Sequence, residues 1–184
     1  MNAAPADLIL LKGAPGVGKS SAARQLAGRL ASGVRVEVDV LRCMVVAVNW
    51  TDQVEHRKLL HLGAQLAAGY LRLGFGPVIL VDTFSGDKID GFIESFRSMW
   101  SEGRVFVAVL HASDDVLRSR VQGREEVGFR DLAVSARLNL EAVRDARPFE
   151  WLIDTTHLSP TEVANAILEA MRAGQAAQLT RAVG

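Results

Sequence analysis

Five short apolar runs, Leu8 to Leu11, Val34 to Val40, Val78 to Val81, Val105 to Leu110 and the weaker Trp151 to Ile153, recur along the chain. Longer stretches, in which apolar residues return every three or four positions, separate them. Runs apolar at consecutive positions suit strands covered on both faces, as in a parallel sheet flanked by helices. The stretches between read as helices. Lys19 to Leu30 sets Ala22, Ala23, Leu26, Ala27 and Leu30 on one stripe, and Ser32-Gly33 ends it. Asp52 to Leu73 sets Leu59, Leu62, Leu66 and Tyr70 on another, closed by Gly74-Phe75-Gly76-Pro77. Asp87 to Trp100, Ser113 to Gly123, Asp131 to Asp145 and Pro160 to Ala173 complete the set. Strand alternating with helix predicts an α/β fold, a doubly wound parallel sheet of about five strands with helices on both faces. Ligands of such sheets sit beyond the carboxyl ends of the strands, so the residues following each apolar run are the candidates for chemistry.

Length and composition narrow this further. With 184 residues, 49% of them hydrophobic, the chain can bury one substantial core. The expectation is one domain over residues 1–173 and a tail from Gly174 to Gly184. The 21 Lys and Arg balance the 21 Asp and Glu, so no global positive field favours nucleic acid, and any basic site must be local. Cys43 is the single cysteine, which excludes an internal disulfide and reads as a small buried apolar residue. Met1 to Asp7 lacks a secretory pattern and no apolar run approaches the roughly 20 residues of a membrane span, so a cytoplasmic protein without membrane partners is expected. Nothing in the sequence marks an oligomer interface.

The first strand runs directly into Gly13-Ala14-Pro15-Gly16-Val17-Gly18-Lys19-Ser20, which fits G-x-x-x-x-G-K-[ST] and opens a helix. Glycines let the backbone turn so that successive N–H groups face phosphate oxygens, and the helix N-terminus adds a favourable dipole. Lys19 would bridge the β and γ phosphates of ATP, and Ser20 would offer its hydroxyl to Mg2+. The loop specifies nucleotide phosphate binding and leaves the reaction open. No D-x-x-G switch, N/T-K-x-D guanine reader or L-S-G-G-Q signature is present, which argues against a GTPase or a transporter.

Beyond the loop, the strand ends carry Asp39 and Arg42, then Asp82 and Thr83, then the run Arg120-Val121-Gln122-Gly123-Arg124. With these residues the chain resembles the P-loop kinase group of adenylate, shikimate and gluconate kinases, polynucleotide 5′-kinases and chloramphenicol phosphotransferases, over Leu8 to Met171. The Arg120–Arg124 run is similar to the R-x-x-G-R entry to the adenylate kinase lid. The resemblance implies that Arg120 stacks on adenine and that Arg124 touches the phosphates, with a short lid near 124–131. Arg130 would reach phosphate, and Arg137 resembles a post-lid arginine. Ile153-Asp154-Thr155-Thr156 and Ser159-Pro160-Thr161-Glu162 resemble the last strand and helix, beside the adenine. A lid of arginines suits phosphoryl transfer, because charge spreads over the equatorial oxygens and must be neutralised away from water. Ordinary solvated helix charge is the alternative for all four arginines.

On the acceptor side, the resemblance implies that Asp39 takes or orients the proton of the acceptor hydroxyl; capping the following helix is the alternative. Arg42 would engage substrate. Asp82 closes its strand as a magnesium-associated or acceptor-contacting carboxylate would, with capping of the Thr83-Phe84-Ser85 turn as the alternative; Thr83 and Ser85 are candidate substrate contacts. The segment from residue 40 to 61 would close over the acceptor. It holds Met44, Val45, Val46, Val48, Asn49 and Trp50, and only Arg42, Arg57 and Lys58 as cations, which favours an uncharged or hydrophobic alcohol. Trp50 would stack on such a ligand, with a core or rim tryptophan as the alternative. His56 and His61 lack a third ligand for a metal. The expectation is an ATP- and Mg2+-dependent phosphotransferase acting on a hydroxyl of a small antibiotic or metabolite; a nucleotide or polynucleotide kinase and a non-catalytic ATP sensor are the alternatives.

Overall fold

The structure, a computed structural model, describes residues 6–123 and 131–182, with side chains as far as 173. Five strands, β1 (Leu8–Lys12), β2 (Val34–Glu37), β3 (Val78–Val81), β4 (Val105–His111) and β5 (Glu150–Asp154), alternate with seven helices among the described residues. These are α1 (Lys19–Ala27), α2 (Val38–Cys43), α3 (Gln53–Arg72), α4 (Lys88–Met99), α5 (Asp114–Gln122), α6 (Leu132–Arg144) and α7 (Pro160–Ala182). The strands form one sheet in the order β2-β3-β1-β4-β5, and every pairing is parallel. The doubly wound sheet expected from the apolar runs is therefore the architecture.

Leu8, Ile9, Leu10 and Leu11 are all fully buried because β1 lies at the centre of the sheet and both of its faces are covered. Ile9 and Leu11 pack with α1, α5 and α7 through Leu26, Leu117, Val121 and Ile167. Leu8 and Leu10 pack with α3 and α4 through Leu60, Ala64, Ile89 and Phe92. Each such side chain contributes roughly 1.5–3 kcal/mol on burial. The result holds the loop after β1 between two filled layers.

Three elements differ from expectation. The apolar run Val34 to Val40 is a strand only to Glu37 and then turns into α2, where Val38 and Arg42, four residues apart, face inward. The alternation of valines imitates a strand, but one helical turn buries this pair just as well. Cys43, one position past Arg42, is consequently exposed, not buried. On α3, Leu62 and Tyr70 stay 39% and 37% exposed, while His56, Leu59, Leu60, Gly63, Ala64, Ala67 and Ala68 face the sheet. Close approach decides this face: a Cβ at Gly63 would come within 3.1 Å of Leu80 Cδ1, so the smallest residues take the contact. The backbone of α7 stays helical to Ala182, past Gly174 where the sequence suggests a tail. Among the described residues no helix is long and apolar enough to cross a membrane.

Candidate functional site

The glycines of the loop after β1 carry the turn. Gly13, Gly16 and Gly18 have φ of 146°, 94° and 96°. Gly16 also permits close packing, since a Cβ there would lie 2.7 Å from Val121 Cγ2 and 2.9 Å from Leu117 Cδ1. The loop is thereby seated against α5.

Carbonyls on the loop's outer side are held by other groups. Lys19 Nζ donates to Gly13 O at 2.8 Å and to Ala14 O at 2.9 Å. The buried Ser135 hydroxyl, on α6, donates to Pro15 O at 3.2 Å. Thr155 Oγ1, just beyond β5, lies 3.0 Å from both Val17 O and His111 O, so its one proton serves either. Arg120 donates to that same Oγ1 at 3.1 Å and to Thr155 O at 2.8 Å. Among the described residues, the one backbone bond within the loop is the long Val17 N–H to Ala14 O contact of 3.5 Å. The first N–H groups of α1 lack intrahelical acceptors by geometry, its first turn holds no acidic side chain, and Gly18 offers no side-chain cap. Outward carbonyls, a lysine and an uncapped helix start make a cradle that fits an anion.

Next to it the Ser20 hydroxyl donates to Glu37 Oε2 at 2.7 Å, while Arg35 pairs with Glu37 Oε1 at 2.8 Å. Mg2+ needs few protein ligands and takes the rest from water and phosphate oxygens. A hydroxyl and a carboxylate at the foot of the cradle fit that requirement. Glu37 was not a sequence candidate: it stands inside the second apolar run, and only the structure ends β2 there.

Asp39 lies in the first turn of α2, with Glu37 in the N-cap position, so Asp39 is not the capping residue. It is exposed, yet the protein around it displaces enough water to raise its carboxyl pKa above the ordinary value. The negative charge of Asp82 adds to this effect, while Lys19, Arg42 and His56 oppose it. Lys19, Arg42, Asp82 and His56 thus all lie within electrostatic reach of Asp39, around the carboxyl ends of β1, β2 and β3.

Asp82 is buried, and both of its oxygens are engaged. Oδ1 lies 2.9 Å from His56 Nε2, and Oδ2 accepts the Phe84 N–H at 2.8 Å. The second bond braces a turn in which Phe84 holds a φ of 49°, and the buried Phe84 ring packs edge-on against Phe92. Capping, the alternative named for Asp82, is therefore present in the structure. Thr83 and Ser85 are half-buried beside it, and Ser85 Oγ accepts from Lys88 Nζ at 2.9 Å.

Arg42 is 5% exposed, donates to Asn49 O at 3.2 Å, and stacks its guanidinium 4.4 Å from the Trp50 ring centre. Trp50 thus covers Arg42 with one part of its surface and remains half exposed. Val40, Met44 and Val46 expose apolar surface around the pair. His61 lies apart from His56, within hydrogen-bond distance of Ser95 and Gln65. Arg137 is exposed and pairs with Glu141 one helical turn on, at 2.7 Å. Arg124, Arg130 and nearly all of the expected lid lie outside the described residues; Asp131, its last position, caps α6 by accepting the Val134 N–H at 3.0 Å.

Solved structures with this architecture include the tunicamycin resistance protein of Deinococcus radiodurans, with 23% identity, a TM-score of 0.65, and 89% of this chain and 94% of that one covered. A gluconokinase from Sinorhizobium meliloti 1021 aligns at 18% identity and a TM-score of 0.67, over 98% and 99% of the two chains. A shikimate kinase from Acinetobacter baumannii, in complex with shikimate, aligns at 17% and 0.56, over 90% and 93%. At these identities the likeness is one of fold. No curated protein matches the chain. The family model AAA_33, described as an AAA domain, matches residues 8–148, which takes in the phosphate cradle, α2, the Asp82 turn and Arg120. The chain accordingly belongs to the AAA_33 family of P-loop NTPase domains, in a fold that it shares with gluconate and shikimate kinases.

Proposed function

We propose that this chain transfers the γ-phosphoryl group of ATP to a hydroxyl of a small acceptor. The observation that carries this reading is the placement of Asp39: an exposed carboxyl group in the first turn of α2, with a raised pKa and within electrostatic reach of Lys19 in the loop after β1. A nucleotide sensor has no need of a base at that place. A phosphotransferase does.

Lys19 would exchange its carbonyl partners for β- and γ-phosphate oxygens, and the loop amides would hold the same phosphates in line. Mg2+, when bound, neutralises phosphate charge; Ser20 and Glu37 would hold it. Asp39, ionised, accepts the proton of the acceptor hydroxyl as the acceptor oxygen bonds to the γ-phosphorus. The bond from that phosphorus to the bridging oxygen breaks, and its electrons leave with ADP. Arg120, already tied to Thr155 beside the cradle, would flank the adenine, and Arg124 would meet the transferring charge, the roles the family resemblance assigns.

The test is ATP consumption against a panel of alcohols, with melting curves alongside. Mg-ATP should raise the melting temperature by linkage, and GTP should raise it less. Lys19→Ala should cut transfer by about 100-fold or more, the effect of losing one charge-stabilising donor. A protein indifferent to every nucleoside triphosphate ends the proposal.

A further inference from the structure

Lys88, the first residue of α4, is only 7% exposed. Its Nζ donates to the neutral Ser85 hydroxyl, and among the described residues no carboxylate lies within ion-pair distance of it. Burial pulls its pKa down; Arg57 and Arg42 lower it further, while Asp82 and Asp87 act the other way. The bond to Ser85 holds the ammonium at the turn that follows Asp82, within electrostatic reach of that carboxylate. Arg42, 5% exposed, lies on α2, which starts next to Asp82 because Glu37 of β2 pairs with Val81 of β3, and its buried Nε has no hydrogen-bond partner among the described residues. Arg57 is at the rim, where Asp87 Oδ1 accepts from it at 2.7 Å.

A buried charge without a partner is costly, and proteins ordinarily pair it. Here an ammonium and a guanidinium, both more than nine-tenths buried, keep donors unspent. Asp82 does not pair with either: its hydrogen bonds go to His56 and to the Phe84 amide, and its one ion-pair contact among the described residues is with His56. The cations counted in the sequence, Arg42, Arg57 and Lys58, omitted Lys88, which stands 46 positions beyond Arg42 and reaches the site only through the turn after β3. A guanidinium fork beside an ammonium is the arrangement that receives a carboxylate or a phosphate.

We infer that the acceptor carries an anionic group, received by Arg42 and Lys88, while its hydroxyl lies at Asp39. The apolar surface of Met44, Val46 and Trp50 then covers the acceptor's remaining atoms. This inference rests on the phosphotransferase reading and replaces the uncharged alcohol suggested by the sequence.

Calorimetry on protein saturated with Mg2+ and β,γ-imido-ATP, so that the γ-phosphate position is filled, tests it with malonate, methyl phosphate and the neutral malonamide. At least one anion should bind where malonamide does not, and the tighter of the two identifies the group as carboxylate or phosphate. Lys88→Met and Arg42→Met should each weaken that binding by about tenfold or more, as loss of a charge-assisted hydrogen bond does. Lys88→Met should also keep its melting temperature at neutral pH, since it removes a buried unpaired charge of similar volume; should it fail to fold, Arg42→Met carries the test. Anions that bind no better than malonamide, or an affinity that either folded variant leaves unchanged, overturn the inference. Failure of the imido-ATP itself to bind would instead sink the phosphotransferase reading.

Discussion

His56 Nε2, on the inward face of α3, lies 2.9 Å from Oδ1 of Asp82 at the tip of β3, and both side chains are buried. The contact ties α3 to the segment after β3 that carries Thr83, Ser85 and Lys88. Since a carboxylate only accepts, Nε2 is the nitrogen that carries the proton. His56→Ala should cost about 1–3 kcal/mol, because it leaves a buried acceptor unsatisfied. Urea unfolding measures the loss, and a midpoint within error of wild type would show the contact to be idle.

Asp39→Asn should part stability from turnover. A carboxyl whose folded pKa is raised above its unfolded value contributes stability at low pH and loses it as pH rises through the folded pKa. The asparagine variant should therefore gain in melting temperature over wild type as pH rises from the ordinary carboxylate range, with a plateau above the raised pKa of Asp39. Transfer should fall by about 100-fold or more with ATP affinity little changed. Melting curves across pH and a kcat comparison check both halves; an asparagine variant that loses stability at neutral pH contradicts the first.

Glu37→Gln keeps the shape of the Ser20 contact and removes its charge. Affinity for Mn2+, used as a spectroscopic stand-in for Mg2+ and measured by electron paramagnetic resonance with ADP present, should drop by about 10- to 100-fold. Asp82→Asn should move it less. The reverse order would return the metal site to Asp82, the position chosen from the sequence.

Gly16→Ala and Gly18→Ala place the same strain at φ of 94° and 96°, yet only the first brings a Cβ against α5, at 2.7 Å from Val121 Cγ2. Both should lose roughly 1–3 kcal/mol from the left-handed backbone. Gly16→Ala should lose about 1–3 kcal/mol more from overpacking. Equal unfolding midpoints for the two variants would falsify the packing role of Gly16.

The sequence by itself determined the sheet and the glycine loop after β1. Both are local: four consecutive apolar residues at Leu8–Leu11 announce a strand buried on both faces, and the motif from Gly13 to Ser20 is contiguous, so its chemistry is written in order. Asp39, Arg42 and Asp82 could be singled out as candidates for a related reason, since each stands near the end of an apolar run or just after it and the carboxyl ends of parallel strands converge. Tertiary structure alone decided the partners. His56 and Lys88 look like ordinary helix residues until α3 and α4 fold over β3, which brings His56 onto Asp82 and Lys88 within electrostatic reach of Asp82 and Arg42. Glu37 becomes a partner of Ser20 only through the crossover from β1 to β2. The inward face of α3 was misread because periodicity marks which residues are apolar, whereas close packing against Leu80 selects Gly63 and its small neighbours. Pattern along a chain encodes burial; charge pairing and fit depend on distances between residues far apart in sequence, and those exist only once the chain has closed.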